Sequence, residues 1–242
     1  MMQKPTKAVL IIGSPRGPKS TSNSLGTFLA ERLQEKQIAH EKIFINQCLS
    51  SNEKRTSLLR LVDNSDLIIL AFPLYVDSLH SQVIKTLELI AEHEKDQIGL
   101  NKKSFVAIAN SGFPEAQHSS TALAVCRLFA RQVGFNWAGG LAMGAGGLIS
   151  GQPLDEIGGR VRNQVKALEF AAEALSKGDP IPEKSVVLMS KLGIPRSLYL
   201  WMGNRGWKQE AKKCLSKDKL YDQPFKDPPV KEKKTFSDKS KY

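Results

Sequence analysis

The sequence predicts an α/β protein in which a parallel sheet is covered by helices on both faces. Short apolar runs alternate about five times with segments of helical periodicity between residues 7 and 177. Two of these runs, residues 9–12 and 67–72, are apolar at every position, which is typical of strands buried on both faces. Strands of this kind joined by helices form right-handed βαβ units, and such units build parallel sheets.

Each strand is expected where a short apolar run ends at a turn residue. The first run ends at Gly13, and the third, which is the most apolar, ends at Pro73. The second run is shorter and predicts a weaker strand. The five expected strands cover residues 9–12, 43–45, 67–72, 104–109 and 137–143.

The helices are expected where apolar side chains recur at spacings of three and four residues. In the first helix Leu25, Leu29 and Leu33 show this spacing, and the pattern ends near Gln37. The last helix of the unit is expected to be long and continuous. The five expected helices cover about residues 25–37, 58–62, 81–94, 121–133 and 155–176.

The chain after residue 177 has a different composition. Six prolines interrupt residues 178–242, although the first half still carries leucine and tryptophan side chains that can pack. From Asp222 onward the sequence is polar, rich in lysine and poor in apolar residues. We therefore expect an α/β domain at residues 1–177 and a helical or irregular appendage at residues 178–242, with about the last 20 residues mobile.

The net charge of +11, from 35 Lys+Arg against 24 Asp+Glu, is compatible with a nucleic-acid or anionic membrane partner. The distribution of the charge argues against that interpretation. Residues 205–242 hold 12 Lys+Arg and 6 Asp+Glu, so more than half of the excess lies outside the α/β unit. No helix-turn-helix, zinc or RNP-type pattern is present. We therefore expect no nucleic-acid partner.

The three cysteines, Cys48, Cys126 and Cys214, are far apart and show no CxxC spacing. This fits neither a disulfide framework nor a zinc site, and the four histidines are equally scattered. We therefore expect no metal and a reducing, cytoplasmic setting. No apolar run approaches the roughly 18 residues of a membrane span, and the start lacks a signal-peptide core.

Ligands of parallel sheets bind at the carboxyl ends of the strands, so the loops there are the candidate site. The first loop (residues 13–24) is rich in hydroxyls, carries Arg16 and Lys19, and leads into a helix N-terminus. That combination favours an anion such as a phosphate. The alternative is a solvated Ser-rich turn with a helix cap. A Walker A loop is excluded, because the glycines have the wrong spacing and Pro18 has no N–H.

The second loop (residues 72–79) and the third loop (residues 110–115) are suited to a flat ring system. The second loop places apolar and aromatic side chains such as Tyr75 where a solvated turn would be polar. Core packing of Tyr75 is the alternative. In the third loop Gly112 permits close approach of the backbone, and Asn110 and Ser111 offer polar groups. A phosphate loop with two such loops fits flavin mononucleotide (FMN) better than ATP.

These loops resemble those of the flavodoxin-like NAD(P)H-dependent oxidoreductases, the NADPH-dependent FMN reductase family. The resemblance rests on Gly-Ser-Pro-Arg at residues 13–16, Ser-Asn-Ser at 22–24, Pro-Leu-Tyr-Val-Asp-Ser-Leu at 73–79 and Asn-Ser-Gly-Phe-Pro-Glu at 110–115. Residues 127–147 also resemble one bacterial branch of that family. The resemblance implies a three-layer sandwich with sheet order 2-1-3-4-5 and a homodimer or tetramer.

The resemblance also implies which residues hold FMN. The phosphate would lie on the first loop, the isoalloxazine would be flanked by the second loop, and the third loop would form the remaining wall. The first loop is longer than the family's compact form, so the roles of Lys19, Ser20 and Thr21 stay open. The implied cofactor-binding residues are Ser14, Arg16, Ser22, Asn23, Ser24, Pro73, Leu74, Tyr75, Val76, Asn110, Ser111, Gly112 and Phe113.

The activity that the resemblance implies is ping-pong hydride transfer from NADH or NADPH to flavin N5. The electrons would then pass to a quinone, azo or nitro compound, free flavin or a metal ion. No side chain is expected to act as a catalytic acid or base, because the flavin carries the chemistry. The alternative is a non-catalytic electron carrier or FMN-binding module. Such carriers are usually small and acidic, whereas this chain is larger and basic.

Overall fold

A computed structural model describes residues 2–97, 103–214, 216–223 and 226. Its centre is a five-stranded, all-parallel sheet with strand order β2-β1-β3-β4-β5. The predicted flavodoxin-like fold and strand order are therefore confirmed. The strands are β1 (Lys7–Ile12), β2 (Ala39–Phe44), β3 (Leu67–Pro73), β4 (Ser104–Asn110) and β5 (Asn136–Met143).

Helices follow the strands in the order that βαβ units require. Short 3-10 segments join several of them. The α-helices are α1 (Thr21–Gln34), α2 (Ile45–Cys48), α3 (Asn52–Asp63), α4 (Ser81–Glu94), α5 (Ser120–Gln132), α6 (Leu154–Ile157), α7 (Arg162–Leu175), α8 (Glu183–Ser190) and α9 (Arg196–Lys213).

The sheet separates two hydrophobic cores, which makes the unit a three-layer sandwich. Leu10 and Ile69 point to the side covered by α1 and α7, whereas Ile11 and Leu70 point to the side covered by α3, α4 and α5. Strands β3 and β4 are buried along almost their whole length because helices cover both of their faces. This explains why their sequences are continuously apolar.

The prediction of one continuous helix at residues 155–176 is wrong. The structure has two α-helices there, α6 and α7, separated by a short 3-10 segment. Gly158 has φ +72 and a Cβ at Gly159 would meet nothing within 4 Å, so the chain between α6 and α7 bends through an open glycine pair. The helix-spaced apolar pattern continues on both sides of the bend, which is why the sequence predicted one helix.

Several boundaries also differ from the expected ones; α3, for example, begins at Asn52, six residues before the expected start. Helix α1 begins at Thr21, four residues earlier than expected, because Ser20 caps it and the polar first turn hides the helix in the apolar pattern. The second strand lies at Ala39–Phe44, and Ile45 instead begins α2. Strand β2 is at the edge of the sheet, and its side chains are mostly exposed or half-buried, so its apolar signal is weak.

The described part of the chain after residue 177 forms α8, α9 and a short 3-10 turn at Lys217–Lys219. The N–H of Ile181 donates to the carbonyl of Ala138 at 2.7 Å, which attaches this segment to the edge strand β5. One compact unit extends through Tyr199, and a second begins at Leu200. The domain division at residue 177 stays a prediction, and the expected mobile tail lies almost wholly outside the described residues. Among the helices that are described, none combines the length and apolarity needed to cross a bilayer.

Candidate functional site

The carboxyl ends of β1, β3 and β4 lie side by side, and Asn110 connects the loops that follow them. Its Nδ2 donates to Ser22 Oγ in the first loop at 2.8 Å and to the carbonyl of Phe72 at 3.0 Å. Its own carbonyl accepts the N–H of Leu74 at 2.8 Å. The three predicted loops are therefore brought together at one edge of the sheet by a single buried carboxamide.

The first loop ends in a capped helix N-terminus. Ser20 Oγ accepts the N–H of Asn23 at 3.1 Å and donates to the carbonyl of Gly17 at 2.6 Å. The N–H groups of Thr21 and Ser22 are the remaining first-turn donors, since a helix has no intrahelical acceptor for them. The first turn of α1 carries no acidic residue. This end of the helix therefore favours an anion.

Three cationic side chains lie in or next to the first loop. Arg16 and Lys19 are exposed, and no described residue forms an ion pair with either of them. Lys42, which sequence analysis missed, comes from β2 and donates to Asn23 Oδ1 at 3.3 Å. The positive charge and the helix N-terminus act in the same direction, and both favour an anion at this loop.

The predicted phosphate residues differ in how far their side chains are already engaged. Ser14 Oγ accepts the N–H of Arg16 at 3.3 Å, and Ser22 Oγ accepts from Asn110, so both hydroxyls keep a proton to donate. Asn23 Nδ2 donates to the carbonyl of Pro18, and Ser24 Oγ donates to the carbonyl of Ser20. The side chains of Ser14 and Ser22 are thus better placed to serve a ligand than those of Asn23 and Ser24.

The second loop is a tight two-residue hairpin turn. The backbone groups of Tyr75 and Ser78 exchange two hydrogen bonds of 3.1 Å, and Val76 and Asp77 between them have φ values of +49 and +57. A β-branched residue is strained in this conformation, and the Val76 side chain is 99% exposed. Tyr75 is 45% exposed, so it is not a core residue. The loop presents apolar groups to solvent beside the first loop.

His80 connects the second loop to the first loop. Its Nε2 forms a hydrogen bond with the carbonyl of Gly13, and its ring lies 5.4 Å from that of Tyr75. Gly13 has no room for a side chain, because a Cβ would lie 2.9 Å from atoms of Phe72 and Val83. The relative positions of Tyr75 and the first loop are therefore fixed by packing as well as by hydrogen bonds.

The third loop has a buried start and an exposed tip. Ser111 is buried, a Cβ at Gly112 would meet nothing within 4 Å, and Phe113 is 57% exposed. The ring of Phe113 packs on that of His118 at 4.9 Å, and His118 Nδ1 lies 3.7 Å from Asp77 Oδ1. The tips of the second and third loops thus approach each other through His118 and Asp77.

A fourth wall comes from the segment after β5 (residues 144–151), to which the sequence analysis assigned no part in the site. The N–H groups of Ala145 and Gly146 donate to the carbonyls of Phe113 and Ser111 at 2.6 and 2.8 Å. Thr21 Oγ1 donates to the carbonyl of Gly146 at 2.8 Å. This segment therefore holds the third loop and the start of α1 together.

These contacts give structural roles to residues that sequence analysis left open. Ser20 is the helix cap, and Thr21 anchors the segment after β5. The backbone of Lys19 packs against Gly151, where a Cβ would lie 2.6 Å from the Lys19 carbonyl carbon. Gly151 also has φ +83, so two independent reasons require glycine there.

The start of α9 covers the outer side of the third loop. Tyr199 Oη donates to the carbonyl of Gly112 at 2.7 Å, and Arg196 Nε donates to Glu115 Oε1 at 2.7 Å. The hydrogen bond from Arg196 lowers the pKa of the Glu115 carboxyl, and burial raises the pKa of the Tyr199 phenol. Arg196 and Glu115 also line a cavity of about 420 Å³ between α5 and α8.

Taken together, the site has a cationic, donor-rich end at the first loop and exposed aromatic and apolar side chains at the tips of the second and third loops. Such an arrangement suits a ligand with a phosphate at one end and a flat ring at the other. Within the described part of the chain, no group of three or more His, Cys, Asp or Glu side chains could hold a metal ion.

No protein-family model and no curated protein sequence matches this chain. Solved structures do resemble it. A flavone reductase aligns with a TM-score of 0.53 at 10% sequence identity, over 70% of this chain and 62% of its own length. An FMN-dependent NADH-azoreductase from Bacillus anthracis, solved in complex with FMN, aligns with a TM-score of 0.49 at 15% identity, over 70% of this chain and 99% of its own.

A WrbA-like flavodoxin from Agrobacterium tumefaciens also aligns, with a TM-score of 0.44 at 20% identity, over 55% of this chain and 76% of its own. At these identities the likeness concerns the fold. The similarity to the flavone reductase, together with the strand order of the sheet, establishes that this chain has the flavodoxin-like fold.

Proposed function

We propose that this protein is a flavoenzyme that binds FMN at the crevice between the three loops and oxidises NADH or NADPH. The observation that carries the proposal is the convergence of the three loops on Asn110, which places a cationic helix N-terminus beside exposed aromatic side chains. The neighbours in structure, an FMN-dependent NADH-azoreductase and a flavone reductase, support the same activity class.

The residues present fit FMN at its phosphate end. Thr21 and Ser22 supply first-turn N–H groups, and Ser14 and Ser22 supply hydroxyl protons that no described residue accepts. Arg16 is exposed beside them and provides the positive charge that a dianion needs. Asn23 and Ser24 would shape the turn and not donate to the phosphate, because their side chains and their N–H groups are already bonded to Pro18 and Ser20.

The residues also fit the ring end. Pro73 and Leu74 hold the hairpin against Asn110, and the hairpin presents Tyr75 and Val76 to solvent. On the other side Gly112 leaves open space and Phe113 exposes its ring. Binding an isoalloxazine here would cover apolar surface that is otherwise exposed to water, which is a favourable contribution.

When bound, FMN would accept a hydride from NAD(P)H and pass the electrons to a small acceptor such as a quinone, an azo or nitro compound, free flavin or a metal ion. The protein's part is to bind and orient. Backbone N–H groups of the second and third loops would stabilise negative charge that develops on the ring. No side chain of the crevice needs to transfer a proton as a catalytic acid or base. A cytoplasmic location and a homodimer or tetramer belong to the same proposal.

The test is anaerobic reduction of the FMN-loaded protein. We expect added NADH or NADPH to bleach the flavin absorbance, and a quinone to restore it with repeated turnover. A protein that holds FMN but shows no steady-state oxidation of NAD(P)H with any acceptor would instead be an electron carrier. A protein that takes up no FMN would contradict the proposal as a whole.

A further inference from the structure

The second compact unit, which begins at Leu200, carries a groove lined by cations and amides. The groove has a volume of about 430 Å³ and lies between one face of α9 and Lys217. No carboxylate lines it. The lining consists of one indole, four cationic side chains and two carboxamides, from Trp201, Asn204, Arg205, Lys208, Gln209, Lys212 and Lys217.

The spacing of these residues explains why they form one surface. Trp201, Arg205, Lys208 and Lys212 recur at intervals of three and four, so they share one face of α9. The three cations from Arg205 to Lys212 extend over about 10 Å of the helix axis. Lys217 adds a fourth cation from the turn after the helix.

The charges of this groove are not neutralised within the described part of the chain. None of the four cations forms an ion pair there. Glu210, the acidic residue of α9, lies on another face and pairs with Lys213 at 3.1 Å. Four like charges beside one groove repel one another, and this repulsion would be relieved by a ligand that carries several negative charges.

The remaining lining indicates what else the ligand carries. The Trp201 indole is 59% exposed, and the Arg205 guanidinium lies 5.7 Å from its ring centroid. An exposed indole beside cations is a stacking surface for a planar base. Asn204 and Gln209 offer carboxamides, which pair with the donor and acceptor on the edge of adenine.

We propose that this groove binds a free nucleotide with at least two phosphates, such as a nucleoside diphosphate. The base stacks on Trp201, and the phosphates lie along Arg205, Lys208 and Lys212. The volume lies in the range of small-molecule sites. The proposal is independent of the flavin crevice, and a lipid surface fits the groove less well because a concave polar lining does not match a flat bilayer.

The first experiment measures ADP binding to the full-length chain by isothermal titration calorimetry at low salt. We expect the double variant Lys208→Ala/Lys212→Ala to bind ADP at least about tenfold more weakly, with affinity that falls as salt rises. The matched control, Lys213→Ala/Lys219→Ala, removes two charges from the same unit outside the groove and should stay within about twofold of the wild type.

The second experiment tests the stacking surface. Trp201→Ala should weaken ADP binding about tenfold, whereas Trp207→Ala, which removes an even more exposed indole of α9 outside the groove, should not. Far-UV circular dichroism verifies that α9 persists in each variant.

Three results would overturn the proposal. One is no binding of ADP to the wild type, including the case where single-stranded RNA or anionic vesicles bind instead. Another is inorganic pyrophosphate binding as tightly as ADP with no effect of Trp201→Ala, which would leave the base without a site. The third is equal weakening by both double variants, which would indicate a diffuse charge effect and no groove.

Discussion

Asn110 Nδ2 lies 2.8 Å from Ser22 Oγ, and this hydrogen bond joins the end of β4 to the first turn of α1 across 88 residues of sequence. Ser22 contributes its oxygen as acceptor, which leaves its proton for a ligand. The same Asn110 amide group also donates to the carbonyl of Phe72. One side chain thus sets the distance between the phosphate end and the ring end of the proposed FMN crevice.

Replacing Asn110 by alanine should weaken FMN binding and the fold together. The buried carbonyl of Phe72 and the Ser22 hydroxyl would lose their donor, at a cost of about 1–3 kcal/mol in the free energy of unfolding. We expect FMN affinity, measured by quenching of flavin fluorescence, to fall about tenfold or more. Asn64→Ala, at an exposed position after α3, is the control and should change neither quantity. Unchanged FMN affinity in Asn110→Ala would contradict the role assigned to Asn110.

Val76 should be replaceable with a gain in stability. Its φ of +49 is unfavourable for a β-branched residue, whereas asparagine tolerates this region. We expect Val76→Asn to raise the free energy of unfolding by about 1 kcal/mol in urea titrations. Val76→Ile keeps the branched Cβ and should give no gain. A less stable Val76→Asn variant would show that the hairpin is not strained.

Gly144 should tolerate no side chain. A Cβ there would lie 2.2 Å from the carbonyl oxygen of Pro114, which is backbone and cannot swing away. We expect Gly144→Ala to lower the free energy of unfolding by about 2–3 kcal/mol and to disturb the third loop. Gly159→Ala is the matched control, because a Cβ there meets nothing within 4 Å, and it should be neutral or slightly stabilising. Equal effects of the two substitutions would contradict the packing of the segment after β5 on the third loop.

Asp66 should make stability depend on pH in the acid range. Burial raises the pKa of this carboxyl, but hydrogen bonds from the Thr6 hydroxyl and from the N–H groups of Thr6 and Lys7 lower it by more, so the net pKa lies below its ordinary value. A depressed pKa stabilises the fold above the unfolded-state value of about 3.9, and this contribution disappears as pH falls through the folded-state value.

The corresponding measurement compares wild type with Asp66→Asn by urea unfolding. We expect the variant to be about 1–2 kcal/mol less stable at pH 7, with a smaller difference at pH 3. Asp96→Asn, at an exposed position, controls for the loss of one negative charge. A difference that grows as pH falls would have the wrong sign for a depressed pKa.

The sheet could be predicted from sequence because strands that are buried on both faces are apolar at almost every position. β3 and β4 are covered on both faces, so every position in residues 67–72 must be apolar or small. The exposed edge strand β2 imposes no such rule, and its bounds were misplaced accordingly. The glycine pair at 158–159 breaks a helix without breaking its apolar pattern, because the same core continues on both sides.

The loops of the crevice could also be predicted, because the carboxyl ends of parallel strands must meet. The contacts between the start of α9 and the outer side of the third loop could not. Tyr199 and Gly112 are 87 residues apart, and Arg196 and Glu115 are 81 apart. No local sequence pattern predicts such pairs, because an arginine or a tyrosine near a helix start can contact many different residues. The Ser20 cap could not be recognised either, because it lies in a run of four hydroxyl residues and one asparagine at residues 20–24.

The central claim is that the crevice between the three loops binds FMN, and a fluorescence titration of the wild-type chain with FMN tests it most directly. We expect quenching of the flavin that saturates at one FMN per chain. Substituting Arg16→Ala, at an exposed position of the first loop, should weaken FMN binding about tenfold while far-UV circular dichroism stays unchanged. FMN fluorescence that stays unquenched by the wild-type chain, or unchanged FMN affinity in a folded Arg16→Ala variant, would contradict the assignment.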